Sequence, residues 1–273
     1  VSEAALFAPA AIEAVLAEGR GRQRRAWLAG LAVAVGLVLV FTASGLFDLN
    51  RYRGALSTLL TLAGDALPPD FSRWRSWGKP LADTMAMSVA GTVLALAAAL
   101  PLGALAARTL APSWIGGPVR LLLNTLRSIP SLIWGVLFVA AVGFGPLPGV
   151  FALACHSTGM LGKFAAEMFE HVDRAPADAL KSHGVSPLGV FRFAIWPQVL
   201  PRLTDVILYR WEHNVRAAVT LGVVGAGGLG LEIVTAFHLF EYREASALIL
   251  VMLALVTLIN FLGSELRRRF LSR

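Results

Sequence analysis

Charge is scarce in this sequence. Only 15% of its 273 residues are Asp, Glu, Lys or Arg, against roughly 25% in soluble domains. With 56% hydrophobic residues, such a chain cannot cover an ordinary water-exposed surface. There is a single cysteine, Cys155, which excludes an intrachain disulfide and a cysteine-based metal cage. It is expected to pack as a small apolar residue. No G-x-x-x-x-G-K-[ST] stretch occurs, so the chain itself is not expected to bind or hydrolyse ATP. No repeat, low-complexity tract or linker marks a second domain, and no series of βαβ units is present to build a Rossmann sheet.

Long apolar runs stand in place of these features. A transmembrane helix needs about 20 mostly apolar residues, and six candidate spans satisfy that: 27–47, 81–107, 120–143, 147–169, 199–222 and 245–263. The formal net charge is +7, and its arginines sit in short flanks, RGRQRR before the first run and Arg267-Arg268-Arg269 after the last. That placement suits an anionic bilayer. Nucleic-acid binders would gather the same charge on a wet face. An even number of spans and the excess of arginine at both ends agree in placing both termini in the cytoplasm.

The expected organisation is an arm (1–26), a transmembrane domain (27–265) and a basic tail (266–273). Leu6, Ile12, Val15 and Leu16 oppose Glu13 and Glu18, so the arm reads as a surface helix. The run 27–47 lacks a small-residue cleavage site and reads as a retained anchor, not a signal peptide. Segment 48–79 would lie outside, although Arg51, Arg53, Arg73, Arg75 and Lys79 run against the charge rule there.

The polar interval between the fourth and fifth spans, 173–198, reads DRAPADALKSHGVSPLGVFRFAIWPQ. Pro176 suits the first turn of a short helix, Gly184 suits its left-handed cap, and Ser186 can cap a second helix starting at Pro187. Two short helices joined by a glycine make a compact knob. Val185, Leu188 and Phe191 are expected to be exposed on it and to require a partner.

This interval resembles the signature loop of binding-protein-dependent ABC transporter permeases, E-A-A-x3-G-x9-I-x-L-P. It stands here as Asp178-Ala179-Leu180, Gly184 and Ala194-Ile195-Trp196-Pro197. Glycine and proline keep their spacing, while Asp replaces Glu, Leu replaces the second Ala, and Trp replaces Leu. The stretches LRSIPSLIWGVLF (126–138), LYRWEHNVRAAVTLGVVGAGGLG (208–230) and FEYREASALIL (240–250) extend the resemblance to permeases for phosphonates, phosphite and hypophosphite, over residues 80–265. The resemblance implies the type I ABC importer permease fold, all-α, with Asp178, Ala179, Gly184, Val185, Leu188, Phe191 and Pro197 coupling to an ATPase. It also implies a homodimer, two ATPase subunits carrying the ATP and magnesium, and an external substrate-binding protein.

Arg210, Glu212, His213, Asn214 and Arg216 fall within the fifth span, where charge is costly unless paired or wet. Glu212 and Arg216 lie one turn apart in the favourable order for an ion pair. Arg210, Glu212, Asn214 and Arg216 are expected to line the translocation path, Arg216 attracting an oxyanion near its outer end, with Arg127 and Lys163 adding positive potential. His156 is expected to be a hydrogen-bonded packing residue.

Gly225, Gly227 and Gly230 match G-x-G-x-x-G, with Glu244 where a ribose-binding acid would sit. The motif follows a charged apolar span instead of an opening strand, and only residues 231–273 remain after it. A dinucleotide enzyme is therefore rejected. With Gly228 these glycines are expected to form a tight external gate segment (222–244) and to permit close helix approach where two copies meet. A permease for another solute such as an amino acid, and an ATPase-independent transporter or channel, are the alternative readings.

Overall fold

The computed structural model describes residues 9–271, with side-chain detail from 21 to 269. The described residues are helical and contain no β-strand. They form two compact units, up to Ala63 and from Gly64 onward. The first holds α1 (Pro9–Ala43), a 3-10 turn (Leu49–Tyr52) and most of α2 (Ala55–Asp65). α1 runs without a break from Pro9 to Ala43, through the expected boundary at residue 26. The amphipathic face read from Leu6 to Glu18 lies outside the described side chains.

The second unit contains α3 (Gly78–Ala106), α4 (Ser113–Ser128), α5 (Ser131–Val142), α6 (Pro146–Glu170), α7 (Ala175–Ser182), α8 (Pro187–Val190), α9 (Trp196–Gly222), α10 (Gly228–His238) and α11 (Tyr242–Leu271). Its centre is the parallel pair α3 and α6. A Cβ on Gly91 would press on Leu153, and one on Gly103 would press on Ala165 and the Gly162 carbonyl. Small residues let these backbones approach, as membrane helices require when no hydrophobic gain drives them together. α9 runs antiparallel to both, and α11 antiparallel to α9. One end of the unit therefore carries the 171–195 knob, and the far end carries the starts of α3, α6 and α11.

Three described stretches are long and apolar enough to span a bilayer: Gly21–Ala43, Gly78–Ala106 and Tyr242–Arg269. The expected third span is broken. α4 and α5 meet at 89° across Ser128–Ser131, because Pro130 offers no N–H and holds Ile129 extended (φ −84°, ψ 119°). Trp134 Nε1 donates to the Leu126 carbonyl at 3.3 Å and braces the bend. α6 and α9 also run from end to end, but polar side chains lower their apolarity.

Segment 64–77 packs on the start of α11. Asp70 N donates to the Arg243 carbonyl at 2.9 Å, and Ser246 Oγ donates to the Ala66 carbonyl at 2.7 Å. The Asp70 carboxyl is held below its ordinary pKa by hydrogen bonding from Ser72, with the Arg243 charge adding to the effect.

Candidate functional site

The knob forms as its sequence dictates. α7 ends in front of Gly184, which takes φ +76°, a region costly for any side chain. Ser186 then caps α8, its Oγ accepting from Gly189 N at 3.3 Å. α8 runs into a π turn, Phe191–Ile195, which delivers the chain into α9. Gln198 closes the knob at its base: its Oε1 accepts from Asp173 N at 3.1 Å, and its Nε2 donates to the Asp173 carbonyl at 3.2 Å.

Two of the expected docking residues face inward. Val185 packs on Ala177, Val190 and Ala194. Phe191 packs between Phe169 and Trp196, with ring centroids 6.1 and 6.0 Å away. Leu188 is 77% exposed as expected, and Phe193, which the motif did not single out, is 68% exposed. Asp178 and Ala179 are exposed on α7, and Asp178 is within 3.4 Å of Lys181. Phe193 lies within the π turn Phe191–Ile195, which no local sequence signal announced.

The polar residues of α9 separate into two groups. The first is a buried chain of hydrogen bonds. Arg210 Nε donates to Ser157 Oγ (2.9 Å), Ser157 donates to Asn214 Oδ1 (3.0 Å), Asn214 Nδ2 donates to Thr92 Oγ1 (2.9 Å), and Thr92 donates to the Ser88 carbonyl (2.6 Å). This chain ties α9, α6 and α3 together, and Ser157, Asn214, Thr92 and Arg210 are all buried. Linked donors of this kind polarise one another. Arg210 keeps one buried Nη2 without a partner. His156 serves packing, with Nδ1 3.0 Å from the Ile129 carbonyl.

The second group faces α11. The expected Glu212–Arg216 pair does not form. Buried Glu212 meets Arg267 Nη1 at 2.8 Å, so Arg267 of the basic tail is part of the packed helix pair. Arg216 points to the exposed side of α9, where Nη1 donates to Asn260 Oδ1 at 3.3 Å. One helical turn separates Glu212 from Arg216, but their long side chains diverge because α11 offers each a different partner.

Arg127 and Lys163 line neither group. With Arg108, Arg120, Glu167 and Glu170 they line a cavity of about 370 Å³ at the knob end.

The glycine segment is a tight turn at the far end. Gly225, Gly227 and Gly228 have φ of +92°, +81° and +71°, and Gly145 N donates to the Gly225 carbonyl at 3.1 Å. The close approach at Gly230 is internal to the chain: a Cβ there would strike the Val219 carbonyl of α9. One amide of the first turn of α10 is committed too, since Leu229 N donates to Thr84 Oγ1 at 2.9 Å. Glu244 is bound by Arg73 (2.9 Å) and Trp77 Nε1 (3.2 Å). The nucleotide motif thus shapes a helix–turn–helix, and its distant acid is already paired.

An all-helical unit with apolar traverses, a two-helix knob at one end and a glycine turn at the other defines a membrane permease. Residues 99–273 match the family described as binding-protein-dependent transport system inner membrane component, and the chain belongs to that family. It is a multi-pass inner-membrane translocation subunit, not an enzyme. A component of such a system works with a substrate-binding protein and an ATPase.

The chain is 49% identical over 245 residues to the phosphite transport system permease protein PtxC of Stutzerimonas stutzeri, covering 89% of each chain. It is 35% identical over 246 residues to the putative phosphite transport system permease protein HtxC of the same organism, covering 90% of this chain and 87% of that one. Its fold matches the inward-facing MetNI methionine ABC transporter with a TM-score of 0.63 at 21% identity, over 71% of this chain and 95% of that one. That likeness establishes the type I importer permease fold.

Proposed function

We propose that this permease carries a phosphorus oxyanion (phosphonate, phosphite or hypophosphite) inward across the cytoplasmic membrane, in a dimer of two copies. The observation that carries the substrate reading is the 49% identity to a phosphite permease across 89% of both chains. The geometry adds exposed Arg216 beside Asn260, a cation on a face that a second copy would turn into a path. Buried Arg210 and Asn214 hold the helices behind that face.

Two ATPase subunits would seat on the knobs through Leu188 and Phe193, holding the ATP and magnesium themselves. The binding protein would deliver anion at the glycine turn. Both termini, with the knob, would lie in the cytoplasm, and all six apolar runs would cross.

Growth on single phosphorus sources tests this reading. A strain lacking this chain, with no redundant transporter, is expected to grow on phosphate and to fail on methylphosphonate, phosphite or both. Unchanged growth on all three would remove the substrate assignment and leave the permease fold standing.

A further inference from the structure

At the knob end, α3 finishes at Ala106, α4 crosses beneath it, and α6 presents its last two turns. Four cationic side chains and two carboxylates line the half-open cavity there. Both carboxylates are partly engaged: Glu170 accepts from Arg108 N at 2.8 Å, and Glu167 lies 3.6 Å from Lys163. Among the described residues, none of the three arginines has a carboxylate within ion-pair distance. Arg120 is held in place by donating to the Ala106 carbonyl at 2.7 Å, and Arg127 Nε by donating to Asn124 Oδ1 at 3.1 Å. Each guanidinium has five donors, so most of this capacity stays available toward the cavity.

Cations that merely anchored the protein would splay along the membrane surface. These face one concavity from three places, the end of α3, the length of α4 and the last turns of α6. Gly159 supports that arrangement, because any Cβ there would collide with the backbone at Leu123 and Arg127. The excess of positive charge excludes a cationic ligand, and the fork geometry of arginine favours an anion with several oxygens.

We propose that Arg108, Arg120, Arg127 and Lys163 form a binding site for a tetrahedral phosphorus oxyanion at the knob end. The same chemistry is offered by a transported anion leaving the protein and by the headgroup of an anionic phospholipid in the adjoining leaflet. Only the first source rests on the importer reading. The cavity is larger than one such anion and leaves room for its hydration waters.

The permease, purified with its ATPase and stripped of lipid, can be titrated at constant ionic strength with phosphite, with chloride as reference, while the thermal midpoint is followed. A parallel series uses nanodiscs of phosphatidylcholine with and without phosphatidylglycerol. The expected result is a midpoint that rises with phosphite or with phosphatidylglycerol and not with chloride. The Arg108→Gln/Lys163→Gln variant should need about tenfold more ligand for the same rise, whereas Lys79→Gln at the far end should match the parent. A response to phosphite alone identifies transported anion as the source, and a response to phosphatidylglycerol alone identifies lipid. If the double variant unfolds, Lys163→Gln alone gives the readout, with about threefold weakening expected. Parent and variant curves that coincide in both series, or a chloride response equal to that of phosphite, overturn the site. Because binding is read directly, failure of the growth test on phosphorus sources would leave this result intact.

Discussion

Arg216 and Arg267 show how differently two arginines of one helix pair can be employed. Glu212 has 8% of its side chain exposed and Arg267 has 26%, so their pair is mostly removed from water. Arg216 lies on an exposed face with one long hydrogen bond. Removing the cation from a buried pair strands the carboxylate, an effect worth 3–5 kcal/mol when burial is complete. Arg267→Met is therefore expected to cost about 2 kcal/mol after discounting its partial exposure. In a purified sample this would read as a clear fall in thermal midpoint, and adding Glu212→Gln should restore part of it. Arg216→Ala should leave the midpoint within a degree or so while phosphite uptake falls by tenfold or more if the residue lines the path. Uptake at the parent's level in Arg216→Ala would remove that role. The sequence revealed that α9 carried a costly charge cluster. It did not reveal the partner, because the Glu212–Arg267 contact depends on how α9 and α11 rotate against each other, and local spacing is silent on rotation.

Elements governed by local chemistry were the most legible. The cap of α7 at Gly184, the cap of α8 at Ser186 and the boundaries of α6 follow from residues within a few positions of each other, and all stand where the sequence placed them. Elements governed by packing were less so. The span expected at 120–143 gave way to the bent pair because Pro130 outweighed apolarity. Val185 and Phe191 turned inward because a knob this small must bury something of its own. Gly184→Ala would place a Cβ at φ +76°, costing about 1 kcal/mol locally. That is enough to loosen the knob without unfolding five long helices. Its expected signature is weaker co-purification of the ATPase at an unchanged thermal midpoint. Leu188→Asp, on the exposed crest, should weaken the same association more strongly, since it adds a charge to a surface that must be desolvated. Val185→Asp should instead destabilise the knob itself. Equal ATPase recovery from Leu188→Asp and the parent would show that the crest is not the docking face.

At the scale of the whole molecule, the direction of each helix sets a constraint that hydropathy alone does not provide. The parallel contacts of α3 with α6, the antiparallel course of α9 and the Glu212–Arg267 link to α11 put the knob, Arg108 and Arg267 at one end. Trp77, the glycine turn and the start of α11 gather at the other. α11, at 30 residues, is about 45 Å long at 1.5 Å per residue, against a hydrocarbon core of about 30 Å, which is long enough to carry these two ends to opposite faces of a bilayer. The composition pointed toward this arrangement through the arginines flanking the first and last apolar runs. It could not decide it, because Arg73, Arg75 and Lys79 sit at the far end. Single cysteines in a Cys155→Ala background decide it, since Ser182 and Ser76 are both exposed. A membrane-impermeant maleimide applied to intact cells is expected to label Ser76→Cys and to spare Ser182→Cys until the membrane is opened. The reverse pattern would invert the orientation and move the knob away from any cytoplasmic ATPase. Labelling of both from one side would mean that an odd number of traverses does not separate them, contradicting the helix directions on which the permease reading stands.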